Sequence, residues 1–287
     1  MKWLWEPEVL ARIRHLQLVA SNVVDGLLHG DHRSRRVGSS IEFADYKEYA
    51  AGDNLRDLDW RVMARTDRLV IKRYQVETEL ACTVVLDASA DLGTAEKFEY
   101  AVKICACLLW FLHRHQEPVG LVAMGDGLTH IPPRTGKAHL ARIFGVLASL
   151  APYGTADLRG ALAKVAPGVR RRSLVAIVSD FAEEPSDWAP SLDALARRRT
   201  DVRAFHVLDP RELRLDWENP ALFWGPESPD ELLDLDPVGV RPEFEKVRDD
   251  WLLEVMQALH ARSGRYYAAR TDQPLSPLLS RFIGGLS

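Results

Sequence analysis

The chain has 287 residues, of which 47% are apolar and 27% are charged, with 37 Lys and Arg against 41 Asp and Glu. This composition excludes a disordered or fibrous chain, and the length allows one large α/β domain or a smaller domain with an extension. The formal net charge of −4 argues against a protein built mainly to bind nucleic acid, because neutralising phosphates requires a basic surface.

The cysteine content and the hydropathy of the chain bear on its cellular location. The three cysteines lie in apolar stretches and form no C-x-x-C pair, which favours a reducing compartment. The N-terminal residues lack a signal-peptide pattern, and the longest apolar run, Ile104–Leu112, is much shorter than the roughly 20 residues of a membrane span. We therefore expect a cytoplasmic protein without a membrane span.

Residues 1–80 are predicted to form a helix and an extension. From Pro7 to Leu28, apolar residues recur at three- and four-residue spacing, which predicts an amphipathic helix that Gly30 ends. Residues 31–74 are rich in Gly, Asp and Arg, and they predict an irregular, charge-paired segment.

Residues 81–287 predict an α/β fold with a doubly wound, mostly parallel sheet. Short runs that are apolar on both faces alternate with runs of helical spacing, which predicts right-handed crossovers. The predicted strands are Ala81–Leu86, Val119–Met124, Leu174–Val178 and Val202–Val207. The predicted helices are Glu96–His113, Ala138–Leu150, Leu158–Val165 and Trp188–Arg198.

Further elements extend this sheet and close the domain. Gly125-Asp126-Gly127 is a hairpin signal, which predicts one antiparallel edge strand. A Pro- and acid-rich stretch near 219–242 predicts an inserted hairpin. A last helix, a short strand and a closing helix are predicted at Glu243–Arg262, Tyr266–Ala268 and Pro274–Ile283.

Carboxylates and hydroxyls follow the predicted strands at one end of the sheet, which is where ligands bind in an open α/β fold. The residues are Asp87, Ser89, Asp91, Thr155 and Asp180. Hard oxygen ligands without His or Cys suit magnesium, manganese or calcium better than zinc. Each residue alone is also a common helix N-cap, so helix capping is the alternative.

The order of these residues resembles the metal-ion-dependent adhesion site of von Willebrand factor type A domains. In that site an Asp-x-Ser-x-Ser loop follows the first strand, a Thr comes later, and an Asp follows a later strand. The resemblance implies a divalent cation, magnesium first, with manganese or calcium as alternatives. It also implies that Asp87 and Asp180 hold the ion partly through water, with Ser89, Asp91 and Thr155 as the nearer ligands.

The third loop position departs from that pattern, because Asp91 stands where the pattern has Ser. An extra carboxylate reduces the positive charge that a bound ion offers to a partner's acidic side chain. Three interpretations stay open: a tighter metal site with weaker partner capture, a preference for calcium, and a degenerate site without metal.

Several stretches carry a second, narrower resemblance. They are Ile41–Tyr49, Ala51–Trp60, Ala64–Arg65, Leu69–Lys72, His206–Pro210 and Arg270–Asp272. The set is similar to the signature of the bacterial and archaeal family called domain of unknown function 58. Proteins of that family couple the signature to a von Willebrand A-like domain and are typically encoded beside a MoxR-type AAA+ ATPase. The resemblance implies a chaperone-like interaction or assembly factor that works with such an ATPase on client proteins.

The extension carries opposite charges at close spacing around a tryptophan. Its candidate docking residues for a partner are Asp53, Arg56, Asp59, Trp60 and Arg65. The alternative is an ion-pair network that fastens the extension to the domain.

Three functions are compatible with the carboxylate cluster: a cation-dependent interaction protein, a metal-assisted hydrolase, and a scaffold with a degenerate site. A hydrolase needs a general base beside a metal-bound water. His206 is predicted to lie within its strand rather than at the strand end. We therefore expect an interaction protein rather than an enzyme.

Overall fold

The computed structural model describes residues 7–30, 41–49, 59–66, 68–76, 80–94, 96–215, 217–225 and 228–286. The chain divides into two units. The larger unit comprises residues 1–32 and 80–282, and the smaller unit comprises residues 33–79 and 283–287. The prediction placed the leading helix with the extension, but this helix belongs to the larger unit, because its apolar face packs on two helices of that unit.

The helices are α1 (Pro7–Gly30), α2 (Trp60–Thr66), α3 (Lys97–Arg114), α4 (Lys137–Ser149), α5 (Leu158–Val165), α6 (Pro185–Trp188), α7 (Leu192–Arg197), α8 (Pro210–Arg214), α9 (Pro237–His260) and α10 (Leu275–Gly284). The strands are β1 (Ile41–Glu48), β2 (Val70–Val76), β3 (Cys82–Asp87), β4 (Val119–Gly125), β5 (Gly127–Arg134), β6 (Leu174–Ser179), β7 (Asp201–Leu208), β8 (Ala221–Gly225), β9 (Ser228–Leu235) and β10 (Arg265–Arg270). None of the described helices has the length and apolarity that crossing a membrane requires.

The larger unit is built on a six-stranded sheet in the order β10-β7-β6-β3-β4-β5. All neighbouring strands are parallel except β5, which runs antiparallel to β4 after the predicted hairpin. The chain adds β4 and β5 on one side of β3 and then β6, β7 and β10 on the other. The predicted fold class, α/β with a doubly wound, mostly parallel sheet, is confirmed. The reversal of winding opens a crevice between β3 and β6.

The central strands of the sheet are buried on both faces, as their apolar sequences predicted. Every residue of β3 and β6 is buried. On one face, α5, α7 and α9 contribute Leu162, Leu192 and Val255 to a core cluster that includes Val85 and Ile177. On the other face lies α3, whose outer side is covered by α1 and α4. Burial on both faces holds the strand ends in fixed positions, and these ends carry the candidate site.

The prediction of an irregular segment over residues 31–74 is wrong in the part that the structure describes. There, β1 pairs antiparallel with β2, with a register shift between Phe43 and Asp45. Along the chain, α2 comes between these two strands. In a two-stranded ladder every second side chain can face water, so a high content of charged residues does not exclude a strand.

Two predicted boundaries are also corrected. The helix predicted at Trp188–Arg198 is split into α6, a 3₁₀ turn and α7, because Pro190 has no N–H for a helical hydrogen bond. The inserted hairpin predicted to reach Pro242 ends at Leu235, and α9 begins at Pro237. Asp236 caps this helix by accepting a hydrogen bond from the Val238 N–H at 3.1 Å.

Candidate functional site

Two buried carboxylates flank the crevice between β3 and β6. Asp87 is the last residue of β3 and is fully buried, and Asp180 follows β6 and is 6% exposed. The Ser179 hydroxyl donates a hydrogen bond to Asp87 Oδ2 at 2.7 Å, and the Ser89 N–H donates one to Asp87 Oδ1 at 2.9 Å. The fold thus brings together Asp87, Ser89 and Asp180, which are three of the five predicted ligands.

The surroundings of Asp87 disfavour the ionised form of its carboxyl group. Burial raises the pKa of Asp87 to about 6, and the negative charge of Asp180 acts in the same direction. The hydrogen bonds from Ser179 and Ser89 lower this pKa and offset part of the effect. A positive charge at this position would therefore stabilise the ionised form of Asp87.

Lys97 supplies a buried positive charge at this end of the sheet. It is the first residue of α3, and it is only 4% exposed. Its Nζ lies 2.9 Å from Asp180 Oδ2 and 3.0 Å from Glu212 Oε1. Burial alone would lower the pKa of Lys97, but Asp180 and Glu212 outweigh burial and raise it above its ordinary value. Lys97 is therefore an ammonium ion that joins the loops after β3, β6 and β7.

The Ser89 side chain has an unsatisfied oxygen beside Asp87. It is 1% exposed, and its hydroxyl has no hydrogen-bond partner among the described residues. The Ser89 hydroxyl also lowers the pKa of Asp87, which places it near that carboxylate. A buried hydroxyl without a partner beside a carboxylate is an arrangement that a hard cation would satisfy. On this observation, Asp87 and Ser89 fit the divalent cation that the resemblance to a metal-ion-dependent adhesion site implies.

The other two predicted ligands lie at the edge of this arrangement. Asp91 is half-buried, and Thr155 is exposed. The loop of Thr155 is nevertheless joined to the loop of Asp87, because the Ala90 N–H donates to the Gly154 carbonyl and the Tyr153 N–H donates to the Ala88 carbonyl, each at 2.9 Å.

The last residue of β4, Gly125, packs tightly against both of these loops. A Cβ at Gly125 would lie 2.5 Å from the Ala88 carbonyl oxygen and 2.8 Å from the Tyr153 carbonyl oxygen, so only glycine fits there. This close approach fixes the separation between the loop that carries Asp87 and the loop that carries Thr155.

The described part of the site does not offer three acidic ligands to one metal ion. Within the described ranges, no group of three or more His, Cys, Asp or Glu side chains is placed to hold a metal ion. Asp91 therefore does not complete a three-carboxylate cluster with Asp87 and Asp180. In this geometry an ion would take the remainder of its coordination shell from hydroxyl oxygens and water, as magnesium often does.

A pocket of about 470 Å³ opens beside the buried lysine. Its polar wall includes Asp91, Lys97, Asp180, Asp209, Glu212 and Arg248. Its apolar wall includes Val207, Leu208, Phe244, Val247 and Trp251. The pocket thus joins the strand ends to α8 and α9, and it combines a charged side with an apolar side.

Two groups at the site were missed by the sequence prediction, Lys97 and Glu212. A signal for Lys97 was present, because a lysine in the first turn of a helix opposes the helix dipole and indicates an acidic partner elsewhere. The sequence carried no comparable signal for Glu212. The Thr94 hydroxyl also donates a hydrogen bond to Glu212 at 2.9 Å, and these two residues are 118 positions apart in sequence.

The predicted docking residues lie in the smaller unit. Asp53 and Arg56 lie outside the described residues. Asp59 is buried and caps α2 by accepting a hydrogen bond from the Arg61 N–H at 3.0 Å. Trp60 is 62% exposed, and Arg65 is exposed in the last turn of α2. The structure therefore assigns a helix-capping role to Asp59, and docking through Trp60 and Arg65 stays a prediction.

The fold and the site define a doubly wound α/β domain that carries an acidic site, with a buried lysine, at the carboxyl ends of its strands. The chain belongs to the family described as Protein of unknown function DUF58, which it matches over residues 45–250. The family resemblance predicted from the sequence is thereby confirmed. Uncharacterized protein Rv1480 of Mycobacterium tuberculosis is 31% identical over 288 residues, which span 97% of this chain and 90% of that protein.

Solved structures that this chain is similar to include BatB from Bacteroides thetaiotaomicron and the VWA domain of SpRpn10. BatB is 16% identical, with a TM-score of 0.47, over 71% of this chain and 97% of that chain. The SpRpn10 VWA domain is 11% identical, with a TM-score of 0.44, over 71% of this chain and 95% of that chain.

Proposed function

We propose that this protein is a cytoplasmic interaction and assembly factor that binds a divalent cation at the crevice between β3 and β6 and presents it to a partner. The observation that carries the proposal is the buried Ser89 hydroxyl, which has no hydrogen-bond partner among the described residues and lies beside Asp87. The cation is magnesium, manganese or calcium, and when bound it would supply an open coordination position to a carboxylate of the partner.

The residues of the chain have distinct roles in this proposal. Asp87 and Ser89 hold the cation, and the hydrogen bonds from Ser179 and the Ser89 N–H fix the orientation of the Asp87 carboxylate. Asp180 contributes negative charge from the other side of the crevice. Asp91 and Thr155 lie on the adjoining loops, within the part of the site that a partner can reach.

The partner that the family resemblance implies is a MoxR-type AAA+ ATPase, together with client proteins. The pocket supports contact with another protein, since it is open at the strand ends and offers apolar area beside charged groups.

The hydrolase alternative is not favoured by any observation at the site. The described residues that line the pocket include no histidine. His206 is fully buried in β7, and burial lowers its pKa to about 3. A histidine held in this way is a poor general base for a water in the pocket.

Calorimetric titration tests the cation site. The full chain, stripped with chelator, is titrated separately with magnesium, manganese and calcium. We expect saturable binding of at least one ion, and about tenfold weaker binding by Ser89→Ala, which corresponds to about 1.4 kcal/mol. The reason is that this variant removes one oxygen ligand of the cation.

The matched control is Ser173→Ala, since Ser173 is also buried but precedes β6, at the opposite end of the sheet. Its affinity should equal that of the parent. Absence of binding heat with all three ions would overturn the cation part of the proposal and leave a degenerate site.

Co-precipitation tests the partnership. The purified chain is incubated with a purified MoxR-type AAA+ ATPase, in magnesium and in chelator. We expect a complex in magnesium that chelator and Ser89→Ala both weaken, because the cation connects the two proteins. A complex that is equally stable in chelator would remove the cation from docking, and no complex in either condition would refute the partnership.

A further inference from the structure

The surroundings of Lys97 differ from those of an ordinary helical lysine. Such side chains usually extend into solvent, whereas this one is turned into the crevice and is only 4% exposed. Its two ion-pair partners differ in burial: the side chain of Asp180 is 9% exposed and that of Glu212 is 44% exposed. The ammonium therefore lies at the boundary between the buried carboxylates and the pocket.

The position of this charge bears on any cation that enters the crevice. Asp180 is near enough to Asp87 to raise the pKa of the latter, and Lys97 Nζ lies 2.9 Å from Asp180 Oδ2. An ion held by Asp87 and Ser89 would therefore share Asp180 with an ammonium that is already bound to it. Two positive charges around one carboxylate repel each other strongly where solvent is largely excluded.

We propose that Lys97 is a built-in counter-cation of the site, whose ammonium competes with the divalent cation for Asp180. The proposal rests on the proposed function for the existence of a cation site, and it goes further by assigning the regulation of that site to Lys97. Without a divalent ion, Lys97 neutralises Asp180. When an ion binds, Lys97 loses its hold on Asp180 and keeps Glu212, on the pocket wall, as its ion-pair partner.

This competition connects the cation to the pocket. The Lys97 ammonium and the Thr94 hydroxyl both contact Glu212, which lies in α8 on the pocket wall. A shift of Lys97 changes the charge that the pocket presents to a partner. Cation binding at buried Asp87 and Ser89 can thereby change the charge around Glu212 on the pocket wall.

The first test compares cation affinity in the parent and in Lys97→Met. Methionine keeps the apolar length of the side chain and removes the charge. We expect Lys97→Met to bind the cation about tenfold more tightly in calorimetric titration. The matched control is Lys103→Met, since Lys103 lies on the same helix and is paired with Glu99 at 2.7 Å on the surface. The affinity of this control should be that of the parent.

The second test uses the parent protein, so it does not depend on the folding of a variant. Lysine side chains are acetylated briefly with a small reagent, and the modified sites are quantified by mass spectrometry. Saturating divalent cation should increase the labelling of Lys97 severalfold, because the ammonium loses its buried partner. Labelling of Lys103 should not change.

The outcomes separate this proposal from the proposed function. If the parent binds a cation, but Lys97→Met binds it no more tightly or Lys97 labelling is unchanged, the competition is refuted and the cation site stands. If only Lys97→Met binds, Lys97 has replaced the cation in the native chain, which supports the competition and overturns native cation binding. If neither protein binds any ion, both proposals fail.

Discussion

Lys97→Met is expected to lower the free energy of unfolding by about 3 to 5 kcal/mol in the presence of chelator, the usual cost of removing one partner from a buried ion pair. The side chain of Asp180 is 9% exposed, and without the ammonium it would be left beside Asp87 with no compensating charge. Urea unfolding at pH 7, followed by circular dichroism, measures the change.

The double variant Lys97→Met with Asp180→Asn should recover a large part of this loss, because it removes both charges of the pair. Lys103→Met is the matched control, and its free energy of unfolding should lie within about 0.5 kcal/mol of the parent's. A Lys97→Met variant as stable as Lys103→Met would show that the ammonium does not neutralise the crevice. A double variant that is no more stable than Lys97→Met would show that the loss comes from packing instead.

The second large effect is expected in the pH dependence of the free energy of unfolding, to which His206 and Asp87 contribute in opposite directions. Burial lowers the pKa of His206 to about 3, whereas an unfolded histidine has a pKa of about 6.5. Below pH 6.5 the unfolded chain takes up a proton that the folded chain excludes. His206 therefore destabilises the fold by about 1.4 kcal/mol for each pH unit between about 6 and 4.

Asp87 acts in the opposite direction over the same pH range. Burial raises its pKa to about 6, so the folded chain takes up a proton before the unfolded chain does. Acidification from about pH 6 to 4 therefore stabilises the fold through Asp87 by an amount similar to the loss through His206. The contributions of these two residues in the parent should largely cancel between pH 6 and 4.

Single variants should reveal the two contributions. Relative to the parent, His206→Gln should gain stability as the pH falls from 6 to 4, and Asp87→Asn should lose it, in urea unfolding with chelator present. Glutamine can replace His206 as the partner of the Tyr266 hydroxyl, which lies 3.0 Å from Nδ1. The exposed His260→Gln is the control and should follow the parent. Parallel curves for His206→Gln and Asp87→Asn would contradict this explanation.

The sheet was predictable because its signals are local. Strands buried on both faces are continuously apolar, and the helices between them repeat apolar residues every three or four positions, so β3, β6 and α5 lie close to their predicted bounds. The smaller unit was not predictable in this way. Its described strands, β1 and β2, are rich in charged residues, and a two-stranded ribbon gives a weak periodic signal.

The candidate site was predictable only in part. The rule that ligands bind at the carboxyl ends of parallel strands located Asp87 and Asp180, since each follows a strand that the sequence marks clearly. The same rule gave no distances, so it could not show that Asp91 does not form a three-carboxylate cluster with them. It also could not distinguish the buried Ser89 from the exposed Thr155.

By itself, the sequence determined the alternation of strands and helices that builds the six-stranded sheet, the family, and the end of the sheet at which the acidic residues gather. Only the tertiary structure decided which charges meet there. Lys97 and Asp180 are 83 positions apart, and their contact depends on the winding of the chain around β3. Apolar periodicity is a property of neighbouring residues, whereas the pairing of two distant charges is set by the packing of the whole sheet.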